Sequence, residues 1–238
     1  MAGQTPVAYH PNPGELAYST PAPATAPVLL IDPGFNVVFA GNMGTVQALE
    51  TVVEAARLLR HLPHIRFVLV GSGSRSEWLQ SEIQRLGLTN LQLPGRFPLE
   101  AMPGILAQAS VLLVSLARSP IMSQTIPSKV QAYLAAGKPI IASLDGEGAR
   151  VVMEAEAGLA CPAEDPEALA AAVIELQAAD AATLGRLGEN SRRYYEAHFQ
   201  PDHLAVQLIN RLERLLDDQA HQPGRDRARR GHGADDAR

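Results

Sequence analysis

Short apolar runs that stop at glycine or a polar turn, each followed by a stretch of helical period, limit what this chain can become. The run at 35–40 is β-branched and stops at Gly41, after which Val46, Leu49, Val53, Ala56 and Leu59 recur at helical spacing. A second run at 65–70 ends at Gly71 and is followed by Leu79, Ile83 and Leu86 on one helical face. The pattern continues with strands expected at 91–93, leading to Gly95, and at 110–115, 139–143 and 158–161, with a helix opening near Pro103. Three helices should close the chain, near 166–178, 181–197 and 202–216, the last with Leu204, Leu208, Leu212 and Leu215 on one stripe. Continuous apolar strands alternating with amphipathic helices predict an α/β fold, a Rossmann-like parallel sheet covered by helices on both faces.

The 238 residues, 46% of them hydrophobic, support one such domain with loose ends. Residues 1–34 are rich in Pro, Ala and Thr and read as a linker or arm, partly disordered, because proline removes backbone donors and forbids helix. The domain is expected over 35–216. From 217 to 238 Asp and Arg alternate with Gly, Pro and His, which reads as a disordered tail. The single cysteine, Cys161, excludes an intramolecular disulfide and a cysteine-rich zinc site and reads as a small buried thiol near a strand end. A net charge of -5 gives no general case for nucleic-acid binding. No apolar run approaches the roughly 18 residues of a membrane span, and the N-terminus lacks the pattern of a secretory signal, so the expected setting is cytoplasmic and soluble.

In an open parallel sheet, ligands bind beyond the carboxyl ends of the strands. The candidate residues are therefore Gly41, Asn42 and Gly44 after the first strand, Gly71, Gly73 and Arg75 after the second, and Arg96 and Phe97 after the third. The long loop leading to Ser128, Lys129 and Gln131, and Asp145 with Gly146 after the fifth strand, complete the set. Glycine lets a phosphate approach bare backbone, and a helix N-terminus behind it supplies unpaired N–H groups. The stretch at 71–76 begins like a dinucleotide fingerprint but lacks its third glycine and the acidic residue about 20 positions on. No P-loop pattern occurs either. The histidines show no ligand spacing, and Asp145 and Glu147 around Gly146 read as a turn and a helix start rather than a metal pair.

Three phrases carry a resemblance to a known family: 39–44 with Gln47, Leu49 and Glu50; 127–142, which lies in the most specific stretch, 126–142; and 158–170. Together they resemble the family-4 glycosyltransferases, in the polysaccharide branch similar to the transferases of colanic acid and O-antigen fucosamine synthesis. The resemblance implies the GT-B fold, of which this chain matches the second, donor-binding domain. The stretch at 7–15 resembles the segment that joins the two domains. It also implies a nucleotide-sugar donor expected to be UDP-linked, a retaining transfer to a glycan or lipid-linked acceptor, no obligatory metal and no cofactor. Catalysis would need the opposite domain, supplied by a separate chain or lost; in the second case the protein binds donor without transferring. A nucleotide-sugar epimerase shares the architecture, but nothing here resembles its motifs.

The departing nucleoside diphosphate needs its charge stabilised. Lys129 in a helix's first turn opposes the helix dipole unless an anion is present, so it is expected to face the diphosphate, with Arg75 or Arg96 adding charge. Lys138 is expected to cap a helix end, Gln131 to reach the ribose or solvent, and Asp145 a sugar hydroxyl. Two departures from the family stand out. Its paired glutamates fall at Gln124 and Ala132, and its usual basic residue after the first strand's glycines is absent from 45–48.

Overall fold

The computed structural model describes residues 7–18, 20, 23, 25–26 and 29–220. Six strands form one parallel sheet: β1 (Phe35–Asn42), β2 (Ile65–Ser72), β3 (Leu91–Gly95), β4 (Val111–Ser115), β5 (Ile140–Ser143) and β6 (Gly158–Cys161). Their order is β3-β2-β1-β4-β5-β6. The helices are α1 (Leu49–Leu58), α2 (Ser76–Leu86), α3 (Met102–Ala107), α4 (Ser128–Ala136), α5 (Glu147–Glu154), α6 (Pro166–Ala178), α7 (Ala181–His198) and α8 (Pro201–Ala220).

The central strands are mainly apolar because both of their faces are covered. Val37 and Phe39 of β1 point to one side, where they pack with Phe67, Leu69 and residues of α1 and α6. Val38 and Ala40 point to the other, against Val68, Val70 and residues of α3, α4 and α5. Expected strand positions hold, but β1 and β2 each run through their first glycine and one residue past it. Gly41 pairs with Gly71 and Asn42 with Ser72, so the ladder continues through the glycines that were expected to end it. The starts of α6 and α7 follow from their caps: Asp165 accepts from Ala168 N–H at 2.8 Å, and Asp180 from Thr183 N–H at 2.7 Å.

Parts of the proline-rich arm are docked on the domain, although most of its described residues are exposed. Gly14 is buried and its N–H donates to the Phe199 carbonyl at 2.9 Å, and residues Leu16–Tyr18 form a 3₁₀ turn. Prolines deny this stretch any repeating pattern, so its docking rests on single hydrogen bonds and has no period to read. At the other end α8 runs to Ala220, and the expected tail beyond it lies outside the described residues. On α8's leucine stripe only Leu204 is buried; Leu208, Leu212 and Leu215 are exposed. Lys138 donates to the Ala107 carbonyl at 2.6 Å, closing the end of α3. The Cys161 thiol, last in β6, is buried and its pKa is pushed up, chiefly by desolvation.

Candidate functional site

The strand order changes direction between β1 and β4, the place where a doubly wound sheet opens a crevice. The ladder there is short, with only Val37↔Val111 and Val38↔Leu112 paired. Past that point Tyr133 of α4 stands in for the missing strand. Its hydroxyl accepts from Ala40 N–H at 2.8 Å and donates to the Ala40 carbonyl at 3.3 Å. An unpaired N–H in this buried position would cost about 1–3 kcal/mol. Burial pushes the Tyr133 phenol up, so it stays a neutral donor and acceptor.

Above this gap lies a cleft in two joined chambers. One, of 420 Å³, is bounded by Gly41, Ser128, Lys129, Gln131 and the arm residues Glu15 and Tyr18. The other, of 490 Å³, is bounded by Gly71, Gly73, Arg96 and Phe97 at the ends of β2 and β3. Tyr18, Gly41, Asn42 and Met102 belong to both walls. Each chamber lies within the size range of small-molecule sites.

Lys129 is the main electrostatic feature. It sits in the first turn of α4, whose N-cap residue, Pro127, provides no side-chain cap. Its Nζ lies 4.6 Å from the Phe39 ring centroid, and no ion pair or hydrogen bond of its side chain occurs among the described residues. Desolvation by burial lowers its pKa to about 8. Both the low-dielectric surroundings and the positive end of the helix oppose the charge, and an anion would relieve both. Gly41 makes room for it: a Cβ there would lie 2.7 Å from Lys129 Cε and 2.9 Å from Nζ.

The structure brings Gly41, Asn42, Gly71, Gly73, Arg96, Phe97, Ser128, Lys129 and Gln131 to this cleft, and sets the other candidates apart. Arg75 is ion-paired with Glu50 and stacked 4.0 Å over Trp78, outside both chambers. Asp145 accepts from Ala163 N–H at 3.0 Å and lies 3.4 Å from Arg118 Nε, tying the loop after β5 to the loop after β6. At Gly146 a Cβ would sit 1.9 Å from the Ser123 carbonyl oxygen, so packing explains that glycine. Gly44 donates to Gln47 Oε1 at 2.8 Å, and Gly73 to Ser76 Oγ at 2.9 Å. These two amides are already used, which leaves the start of α4 and its lysine as the groups open to an anion. Gln131 is in the wall, but its amide donates to the Asn12 carbonyl at 2.8 Å and holds the arm.

Sequence reasoning assigned no site role to Glu15, Tyr18, Met102 or Tyr133. The phrase at 7–15 marked the arm as a connecting stretch, the one signal that could have pointed to Glu15. Tyr133 lies within the most specific phrase, but nothing in a buried helical face reveals a hydroxyl completing a sheet.

A Rossmann-like parallel sheet with a cleft at its switch point defines the doubly wound class of α/β domain, in which ligands bind at that point. Residues 34–179 match the family model described as glycosyl transferases group 1, and the chain belongs to that family. It is 31% identical over 149 residues to the probable glycosyltransferase WbjE of Pseudomonas aeruginosa, covering 62% of this chain and 37% of that one. To the putative colanic acid biosynthesis glycosyl transferase WcaI of Escherichia coli K12 it is 31% identical over 178 residues, covering 73% of this chain and 42% of that one. The chain thus spans less than half the length of these relatives. The fold matches the crystal structure of Anabaena Alr3699/HepE in complex with UDP, with a TM-score of 0.66 and 17% identity over 76% of this chain and 49% of that one.

Proposed function

We propose that this chain is the donor-binding half of a retaining glycosyltransferase of family 4, of the branch similar to colanic acid and O-antigen fucosamine transferases. In this reading it takes a sugar from a UDP-linked donor and passes it to a glycan or lipid-linked acceptor in surface polysaccharide synthesis. The observation that carries the proposal is Lys129, a desolvated cation without a carboxylate partner among the described residues, at an uncapped helix start and facing a cleft at the sheet's switch point. That arrangement suits the two linked phosphates of a departing nucleoside diphosphate. Arg96, exposed on the wall of the second chamber, can add a second charge. The UDP in the Anabaena structure and the polysaccharide role in the name of the Escherichia coli relative point the same way.

The residues supply cationic and backbone groups for the phosphates, so the proposed site needs no metal. Calorimetry should show UDP and UDP-sugars binding the isolated chain, with affinity unchanged by EDTA. A marked loss with the chelator would mean that a metal bridges the phosphates, and no heat with any nucleotide would remove the donor site.

The acceptor half is proposed to dock on α8. Ile209, Leu212, Leu215 and Leu216 there are 53, 51, 55 and 66% exposed. Arg211 donates to the Tyr9 carbonyl at 2.8 Å, so the arm that resembles an interdomain connection begins beside this face. The described polar residues of α8 include Asp202, Glu213 and Asp217 against Arg211 and Arg214, with none of the basic excess that an anionic membrane surface would favour. No single described helix is long and apolar enough to cross a membrane. The setting we propose is the cytoplasm, at the inner membrane face where a lipid-linked acceptor would sit. When a matching first domain is supplied in trans, Leu212→Asp should lower transfer several-fold and leave UDP affinity unchanged. Equal transfer by both proteins would place the contact elsewhere. Where no such domain exists, the chain binds donor and regulates a partner enzyme.

A further inference from the structure

Glu15 and Lys129 are the two charged side chains lining the first chamber, and no ion pair joins them. The acidic one is held from both sides. Gly14 is fixed by the bond from its N–H to the Phe199 carbonyl, and a Cβ there would come within 2.5 Å of the Tyr195 ring. The Asn12 carbonyl is gripped by Gln131, and the Glu15 carbonyl accepts from Tyr18 N–H at 3.3 Å. The arm therefore delivers this carboxylate to the chamber by a set route. Its charge is felt inside, because the Tyr18 phenol is pushed up first by burial and then by Glu15.

A carboxylate beside a diphosphate site repels the ligand unless it makes bonds that phosphate cannot. It has two acceptor oxygens and no donor, the complement of two adjacent hydroxyl groups. Among the side chains on this wall only Glu15 offers two equivalent acceptor oxygens. Ala132 presents a methyl group and the Gln131 amide nitrogen is taken by Asn12. We infer that Glu15, carried into the cleft by the arm, accepts the vicinal hydroxyl pair of the donor's carbohydrate while Lys129 holds the phosphates. This rests on the donor-site reading above. It gives the arm a function, since a stretch without periodic packing is tied down on either side of one acidic residue.

The test uses the full chain and calorimetry with pyrophosphate, UDP, 2′,3′-dideoxy-UDP and a UDP-hexose. Wild type, Glu15→Ala and Glu15→Gln are compared, with melting temperatures recorded alongside. Glu15→Ala should bind UDP about tenfold more weakly, with pyrophosphate unaffected and the dideoxy analogue binding both proteins alike; Glu15→Gln should fall between. A loss confined to the UDP-hexose would assign the hydroxyls to the transferred sugar and keep the inference. Unchanged or tighter binding of every ligand would overturn it, because the carboxylate would then be neutral or merely repulsive. A parallel loss that includes pyrophosphate, with a lowered melting temperature, would overturn it as a structural role. Wild-type protein that binds pyrophosphate and UDP equally would sink the inference and leave the anion site standing. Wild-type protein that binds neither would remove both.

Discussion

Lys129→Met should make the ligand-free protein more stable and at the same time weaken UDP binding by at least about tenfold. The first effect follows from where the ammonium sits. Desolvation alone lowers its pKa from 10.5 to about 8, a shift worth about 3 kcal/mol against the charged folded state. The Phe39 ring at 4.6 Å returns a part of that. Methionine keeps the length of the chain without the charge, so about 2 kcal/mol of stability should be recovered, or about 4–8 °C in Tm for a domain of this size. The second effect is the loss of a charge-assisted contact to phosphate, at least about 1.4 kcal/mol. The pH dependence carries the sign. Below about pH 8 the lysine is charged in both folded and unfolded chains, and the penalty is present in full. Between about 8 and 10.4 the unfolded chain binds more protons, so wild-type stability rises with pH and its deficit against the methionine variant closes. Nucleotide affinity moves the other way and falls as pH passes about 8. Thermal melts of both proteins from pH 7 to 10.5 and calorimetry across the same range check both trends. A methionine variant no more stable than wild type would mean that the lysine already has a partner.

A residue that is costly to fold and favourable to bind is difficult to identify by pattern alone. The sequence placed Lys129 in the first turn of a helix behind a strand end, and electrostatics then argued that a cation there wants an anion. The fold was legible for a similar reason. Val37 and Phe39 face one core while Val38 and Ala40 face the other, so β1 had to read as a continuous apolar run. The starts of α6 and α7 were legible because Asp165 and Asp180 hold their caps through one local contact each. Contacts between residues far apart in sequence were hidden. Arg75 next to a glycine turn looked available, yet Glu50 and Trp78 occupy it. Asp145 looked like a hydroxyl partner, yet Ala163 and Arg118 hold it. The arm was hidden for the same reason, since Asn12 and Gly14 are fixed by bonds to α4 and to the residue after α7 that no periodicity encodes.

Glycines are where the two levels of reading diverge most, and Gly71→Ala tests the divergence directly. Read from sequence, Gly71 leaves bare backbone for a phosphate. In the structure its φ is +138°, and a Cβ would stand 1.9 Å from the carbonyl oxygen of Gly41 on the neighbouring strand. The obstacle is backbone in the middle of a six-stranded sheet, and neither strand can move without disturbing the ladder from Phe35↔Ile65 to Asn42↔Ser72. Conformational strain of about 1–3 kcal/mol and overpacking of about 1–3 kcal/mol together predict a loss near 4 kcal/mol. With a urea slope of about 2 kcal/mol per molar, the unfolding midpoint should fall by about 2 M. Gly95→Ala is the matched control. Gly95 also has positive φ, at +90°, but has nothing within 4 Å of the added carbon, so strain acts alone and the shift should be about half as large. If Gly71→Ala unfolds at the same urea concentration as wild type, the two strand ends are further apart than described. The glycine would then belong to the ligand after all. A large loss of stability without any nucleotide present assigns it instead to the close approach of β1 and β2, which sets the floor on which Lys129 lies.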